Sequence, residues 1–218
     1  MELPSLLLFD LDGTLVDTAP EMHSALNILL KEEGMNSIEY NDVRPFVSHG
    51  VMGIFSVVFD DDPKINGNRY NRYLNLYEKI LGTDAVLFDG MGMVIEQLEE
   101  NNHSWGVVTN KSHRFAKPLL EKLGIIDKAI CLITRDDVEF AKPHPQPILE
   151  ALKTVKFKEH KNCFYIGDSK KDIESARAAG IKSIACSYGY RTKNDDPSSW
   201  GADYCINRPN EIMEIIKC

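Results

Sequence analysis

"LLLFDLDGTLVD" (residues 6–17) runs four apolar residues directly into two aspartates that lie one residue apart. The apolar run at 6–9 indicates a buried strand, because the central strands of a parallel sheet are covered on both faces. Gly13, directly after the second acid, allows a tight turn. Because Asp10 and Asp12 would repel each other, the stretch predicts that they hold a positive group, unless they form a solvated turn.

The rest of the chain alternates short apolar runs with helical patterns. Such alternation is typical of βαβ units, so we predict an α/β fold with a Rossmann-like, doubly wound parallel sheet. The predicted strands after the first are "WGVV" (105–108), "AICLI" (129–133), "CFYIG" (163–167) and "SIACS" (183–187), and the predicted helices span 91–102, 114–124, 145–155 and 170–180.

Residues 17–84 interrupt this alternation, because they contain no convincing strand. Apolar residues there recur at helical spacing, so we predict an all-helical insert over 17–84 and an α/β core domain over 1–16 and 85–218. The tyrosines of the second stripe indicate packing or, alternatively, a face on which a ligand stacks. The two stripes are Met22, Leu26, Leu29 and Leu30, and then Tyr70, Tyr73, Leu74, Tyr77 and Leu81.

Composition narrows the class of protein and its partners. The 218 residues are 43% hydrophobic and 27% charged, which is typical of a globular chain. The formal net charge of -8 offers no basic surface for nucleic acid or an anionic membrane. We therefore expect a small phosphorylated metabolite as partner, no nucleic acid and no membrane, and a monomer or weak homodimer.

The cysteines and the first residues predict where the protein works. The five cysteines include no CxxC pair and their number is odd, which favours reduced thiols and a cytoplasmic location. The first apolar run stops at Asp10, too early for a signal peptide or a membrane span.

Polar residues follow the predicted strands where each strand ends. Ligands of open α/β sheets gather at the carboxyl ends of the strands, so we expect these side chains at one rim. Hard carboxylate oxygens without histidine or cysteine favour Mg²⁺, and a lysine and a hydroxyl suit phosphoryl oxygens. The residues concerned are Asp10, Asp12, Thr109, Asn110, Lys111, Lys142, Asp168 and Asp172.

This collection predicts phosphoryl transfer. A carboxylate at Asp10 can attack phosphorus and form an aspartyl-phosphate, which splits a difficult hydrolysis into two steps. Asp12 would protonate the departing alcohol and then activate water. Backbone N–H groups in the turn at Gly13 can reach an anion.

The order "DLDGTLVDT", "VVTNKS", "AKPHP" and "GDSKKD" resembles the four motifs of the haloacid dehalogenase superfamily of phosphohydrolases. The resemblance implies that Asp10 is the nucleophile and Asp12 the general acid/base. It also implies Mg²⁺ on Asp10, on the backbone carbonyl of Asp12 and on Asp168, with Asp172 in support. Phosphoryl contacts would come from Asp10, Gly13, Thr109, Asn110 and Lys142, and the helical insert would be the family's mobile cap.

Within the superfamily, the motifs are most similar to those of phosphoglycolate phosphatases. The stretches 43–50 and 200–206 are also similar to the related N-acetylmuramic acid 6-phosphate phosphatases. Two departures leave the substrate open: "LFDGM" (87–91) stands where many relatives have Pro-Gly, and Ser48 and His49 replace a glycine-rich loop.

The insert residues Arg44, Ser48 and His49 are candidates for contacts with the substrate's leaving group. Arg44 is suited to a carboxylate. An ordinary surface loop is the competing interpretation.

Three other functions compete with a phosphatase. A phosphosugar mutase of the same superfamily, such as a beta-phosphoglucomutase, would share both aspartates. A dehalogenase is disfavoured, because that chemistry needs neither Mg²⁺ nor the second aspartate. A binding module that has lost catalysis is disfavoured because every charged group of the mechanism is present.

Overall fold

A computed structural model describes residues 5–59, 67–192 and 194–216 of the chain. Within these ranges the strands are β1 (Leu6–Phe9), β2 (Val16–Asp17), β3 (Val86–Leu87), β4 (Ser104–Val108), β5 (Leu132–Ile133), β6 (Cys163–Gly167), β7 (Lys182–Cys186) and β8 (Tyr204–Ile206). The α-helices are α1 (Ala19–Glu32), α2 (Tyr40–Val43), α3 (Gly50–Phe55), α4 (Gly67–Ile80), α5 (Met91–Glu100), α6 (His113–Lys122), α7 (Gln146–Val155), α8 (Lys170–Ala179) and α9 (Ile212–Ile216). Short 3₁₀ segments lie at Arg44–His49, Ile126–Lys128, Arg135–Asp137, His160–Asn162, Pro197–Trp200 and Pro209–Glu211.

Six parallel strands form the central sheet in the order β5-β4-β1-β6-β7-β8. Numbered among themselves along the chain, they run 3-2-1-4-5-6, which is the order of a doubly wound dinucleotide-type fold. The direction of winding reverses between β1 and β6. A crevice therefore opens beyond the carboxyl ends of these two strands, where Asp10 and Asp168 stand.

Strand β1 lies at the centre of the core. Leu7 and Phe9 pack into one apolar cluster with α5, α6 and α9, whereas Leu6 and Leu8 pack into a second cluster with α7 and α8. Successive side chains of a strand point to opposite faces, and here both faces are covered by helices. This explains why the strand reads as a continuous apolar run, and it confirms the predicted fold class.

The helical insert follows β2 and precedes β3. Val16 pairs with Leu87 and Asp17 with Val86 in an antiparallel ribbon, so the chain leaves and re-enters the core at one place. Helices α1 and α4 pack against each other across the insert. Tyr73 and Tyr77 are 0% and 2% exposed, so both are packed inside the protein, and Tyr77 also borders a cavity.

Four strands differ from the sequence predictions. The ribbon of β2 and β3 was not predicted, because a two-residue strand is too short to show a periodic pattern. The charged Asp17 in β2 also hides the strand from an apolar pattern. Strand β8 was missed because it is a short edge strand with a half-polar sequence. The strand predicted at 129–133 reaches only from Leu132 to Ile133, as an edge strand paired on one side.

None of the helices in the described part of the chain has the length and apolar character that a membrane span requires.

Candidate active site

Three aspartates meet at the carboxyl ends of β1 and β6. Asp10 follows β1, Asp168 follows β6, and Asp172 lies in the first turn of α8. Each offers a carboxylate oxygen within 4.8 Å of the others. Asp168 and Asp172 are only 2% and 1% exposed, so the rim predicted from the sequence is a buried acidic cluster.

Lys142 is the cation that balances this cluster. Its ammonium donates to Asp172 Oδ1 at 2.7 Å and lies 2.8 Å from Asp10 Oδ1. It also donates to the Tyr165 hydroxyl at 2.7 Å, and that hydroxyl donates to the Val108 carbonyl at 2.6 Å. Burial alone would lower the pKa of Lys142, but the two carboxylates raise it above its ordinary value. Lys142 therefore stays charged and fixes the position of Asp10.

The acidic cluster carries more negative charge than Lys142 neutralises. Burial raises the pKa of Asp10 to about 6, against the lowering effect of Lys142. Burial, together with Asp10 and Asp172, raises the pKa of Asp168 well above its ordinary value. A divalent cation between these oxygens would remove the penalty.

One oxygen of Asp168 fits such a cation. Oδ2 accepts from the Tyr190 amide at 2.8 Å and from the Ser48 hydroxyl at 2.7 Å. Oδ1 is buried and has no hydrogen-bond partner within the described residues. A buried carboxylate oxygen is costly without a partner, so a metal ligand is the chemistry that suits this atom.

Asp172 is tied into the protein rather than free. Its Oδ2 accepts from the amide and hydroxyl of Ser169 at 3.0 and 2.7 Å, which caps α8. Its Oδ1 accepts from Lys142. These contacts suit a supporting role behind the metal-facing atoms of Asp10 and Asp168.

Asp12 points away from the acidic cluster. Its Oδ1 accepts from the Thr18 hydroxyl at 2.6 Å and from the Lys111 ammonium at 2.8 Å. Its side chain is not among the cluster's ligands in the described residues, which leaves the backbone carbonyl as the ligand that the family resemblance implies. The two aspartates of the opening motif thus face different partners.

Gly13 leaves space for the Asp168 carboxylate because it has no Cβ. Its φ is +88°, and a Cβ there would collide with the Asp168 carboxylate and the Tyr190 ring. Its amide donates to the Val16 carbonyl at 3.1 Å, so that N–H is already engaged. In this structure Gly13 supplies a tight turn and space, and its predicted phosphate contact stays a prediction.

Thr109 and Asn110 follow β4 on the same rim. Thr109 is 2% exposed, and its hydroxyl accepts from the Lys111 amide at 3.1 Å. The Asn110 amide group donates to the Lys142 carbonyl and accepts from the Lys142 amide, both at 3.0 Å. Asn110 therefore holds the backbone of Lys142 in place.

A cavity of about 480 Å³ opens onto these groups from the side of the insert. Its polar lining includes Asp10, Asp12, Thr109, Asn110 and Lys111. Its apolar lining comes from Met22, Val47, Val51, Leu74 and Phe115, among others. The cavity thus has a charged end at the core and a largely apolar wall on the insert.

The three insert candidates occupy different places. Ser48 and His49 line the cavity, and Ser48 also contacts Asp168. Arg44 turns instead to the loop after β7, where it donates to the Gly189 and Tyr188 carbonyls at 3.3 and 3.4 Å. Its guanidinium lies 5.0 Å from the centre of the Tyr190 ring. Arg44 thus docks the insert on the core in this structure.

Sequence reasoning did not assign roles to three residues that the structure places at the site. Lys111 bonds Asp12, Tyr190 holds Asp168 through its amide, and Glu21 lies buried beside them in α1. Lys111 was visible as a cation after β4, but nothing in the sequence linked it to Asp12. A glutamate on the apolar face of a predicted helix was the available signal for Glu21.

The known proteins that match most of this chain are hydrolases of one family or phosphatases. A family model described as haloacid dehalogenase-like hydrolase matches residues 7–186. A phosphoglycolate phosphatase from Xanthomonas campestris pv. campestris (strain 8004) is 40% identical over 215 residues, which cover 98% of this chain and 97% of that protein. An N-acetylmuramic acid 6-phosphate phosphatase from Pseudomonas putida is 36% identical over 212 residues, which cover 96% of this chain and 95% of that protein.

Solved structures share the fold. The crystal structure of a predicted phosphoglycolate phosphatase from Haemophilus somnus 129pt matches with a TM-score of 0.83 at 24% identity. The match covers 97% of both chains, so it includes the insert as well as the sheet.

Proposed function

The chain belongs to the haloacid dehalogenase-like hydrolase family, and on that basis we propose that it is a Mg²⁺-dependent phosphomonoesterase that works through an aspartyl-phosphate. The observation that carries the proposal is the buried cluster in which Lys142 orients Asp10, while Asp168 Oδ1 has no hydrogen-bond partner among the residues that the structure describes. Mg²⁺ would be held by Asp10, Asp168 and the Asp12 carbonyl, and it would supply positive charge for the phosphoryl oxygens.

The first chemical step transfers the phosphoryl group to Asp10. A carboxylate oxygen of Asp10 attacks phosphorus, and the bond between phosphorus and the ester oxygen breaks. The departing alkoxide takes a proton from Asp12. Lys142 and the Thr109 hydroxyl stabilise the charge on the phosphoryl oxygens.

The second step restores the enzyme. Asp12 takes a proton from a water molecule, whose oxygen attacks phosphorus, and the bond to Asp10 breaks to release inorganic phosphate. Exclusion of bulk water protects the intermediate, and we propose the insert over 17–84 as a cap domain that provides it.

The first candidate substrate is phosphoglycolate. The relative from Xanthomonas campestris carries that name at 40% identity over nearly the full length of both chains. Phosphoglycolate is a small phosphorylated metabolite, and a substrate of that size does not require the extended basic surface that a net charge of -8 argues against.

The second candidate is N-acetylmuramic acid 6-phosphate. The cavity volume of about 480 Å³ lies in the range that holds drug-sized ligands, and its insert side is largely apolar. This favours a leaving group larger than the two-carbon glycolate. The relative from Pseudomonas putida, at 36% identity, bears the corresponding name.

Phosphate release from a panel of phosphometabolites tests both proposals. We expect turnover that requires Mg²⁺ and the highest kcat/KM with phosphoglycolate or N-acetylmuramic acid 6-phosphate. Isomerisation of a hexose phosphate without phosphate release would instead identify a mutase. No turnover of any phosphomonoester with Mg²⁺ present would contradict the proposed function.

We further propose a cytoplasmic location and a monomer or weak homodimer. The unpaired thiols of Cys131, Cys163, Cys186 and Cys205 support a reducing compartment. Sedimentation velocity on the purified chain tests the oligomeric state.

A further inference from the structure

A chain of hydrogen bonds joins the helical insert to Asp12. The Gly82 amide donates to Glu21 Oε2 at 2.7 Å, and the Tyr77 hydroxyl donates to Glu21 Oε1 at 2.8 Å. The Lys111 ammonium donates to the Tyr77 hydroxyl at 3.0 Å and to Asp12 Oδ1 at 2.8 Å. Four contacts thus connect both ends of the insert to the general acid/base.

The members of this chain are buried. Glu21 is 0% exposed, Tyr77 is 2% exposed, and the Lys111 side chain is 7% exposed. Burial, together with the negative charges of Asp12 and Glu21, raises the pKa of Tyr77 well above its ordinary value, so the phenol keeps its proton and donates a hydrogen bond to Glu21. Buried polar groups that all have partners form a rigid unit, whereas a broken network is costly.

Two hydrogen bonds hold the Oδ1 atom of Asp12 in place, and neither of them involves the Oδ2 atom. Thr18 and Lys111 both bond Oδ1, so they set the plane of the carboxyl group. Oδ2 is then the oxygen that can exchange a proton with the leaving group and with water. Lys111 itself needs an anchor, because a lysine side chain has many rotamers, and Tyr77 provides one.

Resting on the proposed function, we propose that Lys111 is a positioning residue for Asp12, held in place by Tyr77 and Glu21 of the insert. Asp12 and Lys111 belong to the core, whereas Tyr77 and Glu21 belong to α4 and α1. The acid/base therefore takes its working orientation only when the insert is docked on the core.

Tyr77→Phe and Tyr73→Phe form a matched pair for testing this role. Both tyrosines are buried in α4 with nearly parallel rings 6.3 Å apart, but the Tyr73 hydroxyl donates to the Met22 carbonyl and takes no part in the chain. Tyr77→Phe leaves the charge of Lys111 in the site. A difference between the two variants therefore reports the position of Lys111 and not the loss of a buried hydroxyl.

Two substrates separate positioning of the acid from general damage. Phosphoglycolate, or N-acetylmuramic acid 6-phosphate if only that ester is hydrolysed, releases an alcohol that needs a proton. Acetyl phosphate releases acetate, which leaves without one. The readout is the ratio of kcat/KM for the alkyl phosphate to kcat/KM for acetyl phosphate.

We expect Tyr77→Phe to lower this ratio about tenfold and Tyr73→Phe to leave it unchanged, because only the former frees Lys111. Glu21→Gln should lower the ratio by a smaller factor. Glu21 is fully buried, so that change touches no surface available to substrate.

The outcomes distinguish the two proposals. An equal ratio in wild type, Tyr77→Phe and Glu21→Gln would overturn the role of Lys111, even if both variants were slower with both substrates. Failure of the wild type to hydrolyse any phosphomonoester would instead refute the proposed function. A reduced ratio in Tyr73→Phe equal to that in Tyr77→Phe would also contradict the proposal.

Discussion

The core rim, which comprises Asp10, Lys142 and Asp168, and the insert face, which comprises Ser48 and Tyr77, meet at the candidate active site. They are built differently. Asp10 and Asp168 stand at strand ends of one sheet, Lys142 lies in the loop before α7, and their contacts lie almost wholly within the core. Ser48 and Tyr77 come from a 3₁₀ segment and a helix, and each reaches across to a core side chain. The sheet thus positions the acidic cluster, whereas the insert adds single hydrogen bonds to core side chains, and we propose that these bonds adjust them.

Lys142→Met should have the largest effect, because it removes the cation on which the core rim depends. Asp10 and Asp172 would be left as buried, unpaired carboxylates, so we expect a loss of about 3–5 kcal/mol in the free energy of unfolding. Phosphatase activity should fall by ~10²-fold or more as Asp10 loses its orientation. Urea unfolding and phosphate release measure the two effects.

The exposed Lys153→Met is the matched control for that change. Within the described part of the chain its ammonium pairs with Glu150 alone, on the helix surface, so neither quantity should move appreciably. If Lys142→Met were as stable and as active as Lys153→Met, the core rim would not depend on its buried cation.

Ser48→Ala tests whether the insert contributes to the metal ligands of the core. Its hydroxyl bonds the Oδ2 atom of Asp168, so its loss should weaken Mg²⁺ binding about tenfold, measured by calorimetry on the protein without substrate. Ser56→Ala is the control, because that hydroxyl donates to the Gly53 carbonyl on the surface of the insert, far from the acidic cluster. Equal Mg²⁺ affinities in the two variants would confine metal binding to the core.

The smallest expected effect concerns the pH dependence of stability at Glu21, a buried acid that contrasts with the buried base Lys142. Lys142 has two carboxylate partners, whereas burial raises the pKa of Glu21 despite its hydrogen bonds from Tyr77 and Gly82 and the nearby charge of Lys111. A raised pKa means that the folded state binds the proton more tightly than the unfolded state. The free energy of unfolding of the wild type, relative to Glu21→Gln, should therefore fall as pH rises from below the unfolded pKa through the folded one.

Urea unfolding of both proteins from mildly acidic to neutral pH measures that difference. A difference that grows in favour of the wild type with rising pH would show that Glu21 is stabilised as an anion.

The core could be predicted from the sequence because its determinants are local. An apolar strand followed by acids places Asp10 and Asp168 at one edge, since parallel strands share their carboxyl ends. The contacts of the insert could not be predicted, because they depend on how α1 and α4 dock. Arg44 illustrates this: its chemistry suited a substrate carboxylate, but docking places it on the carbonyls of Tyr188 and Gly189.

The shortest strands could not be predicted from the sequence either. Strand β8 and the ribbon β2–β3 are too short for a periodic pattern, so only tertiary pairing defines them. The ribbon nonetheless matters for the site, because it fixes where α1, with Thr18 at its start, leaves the core.

Trapping the covalent intermediate shows whether Asp10 is the nucleophile. Enzyme acid-quenched during turnover with Mg²⁺ and then treated with borohydride should carry homoserine in place of an aspartate, because borohydride reduces an acyl phosphate. We expect peptide mass spectrometry to find homoserine at position 10 in the wild type and not in Asp10→Asn. Homoserine at another aspartate, or none while phosphate is being released, would contradict Asp10 as the nucleophile.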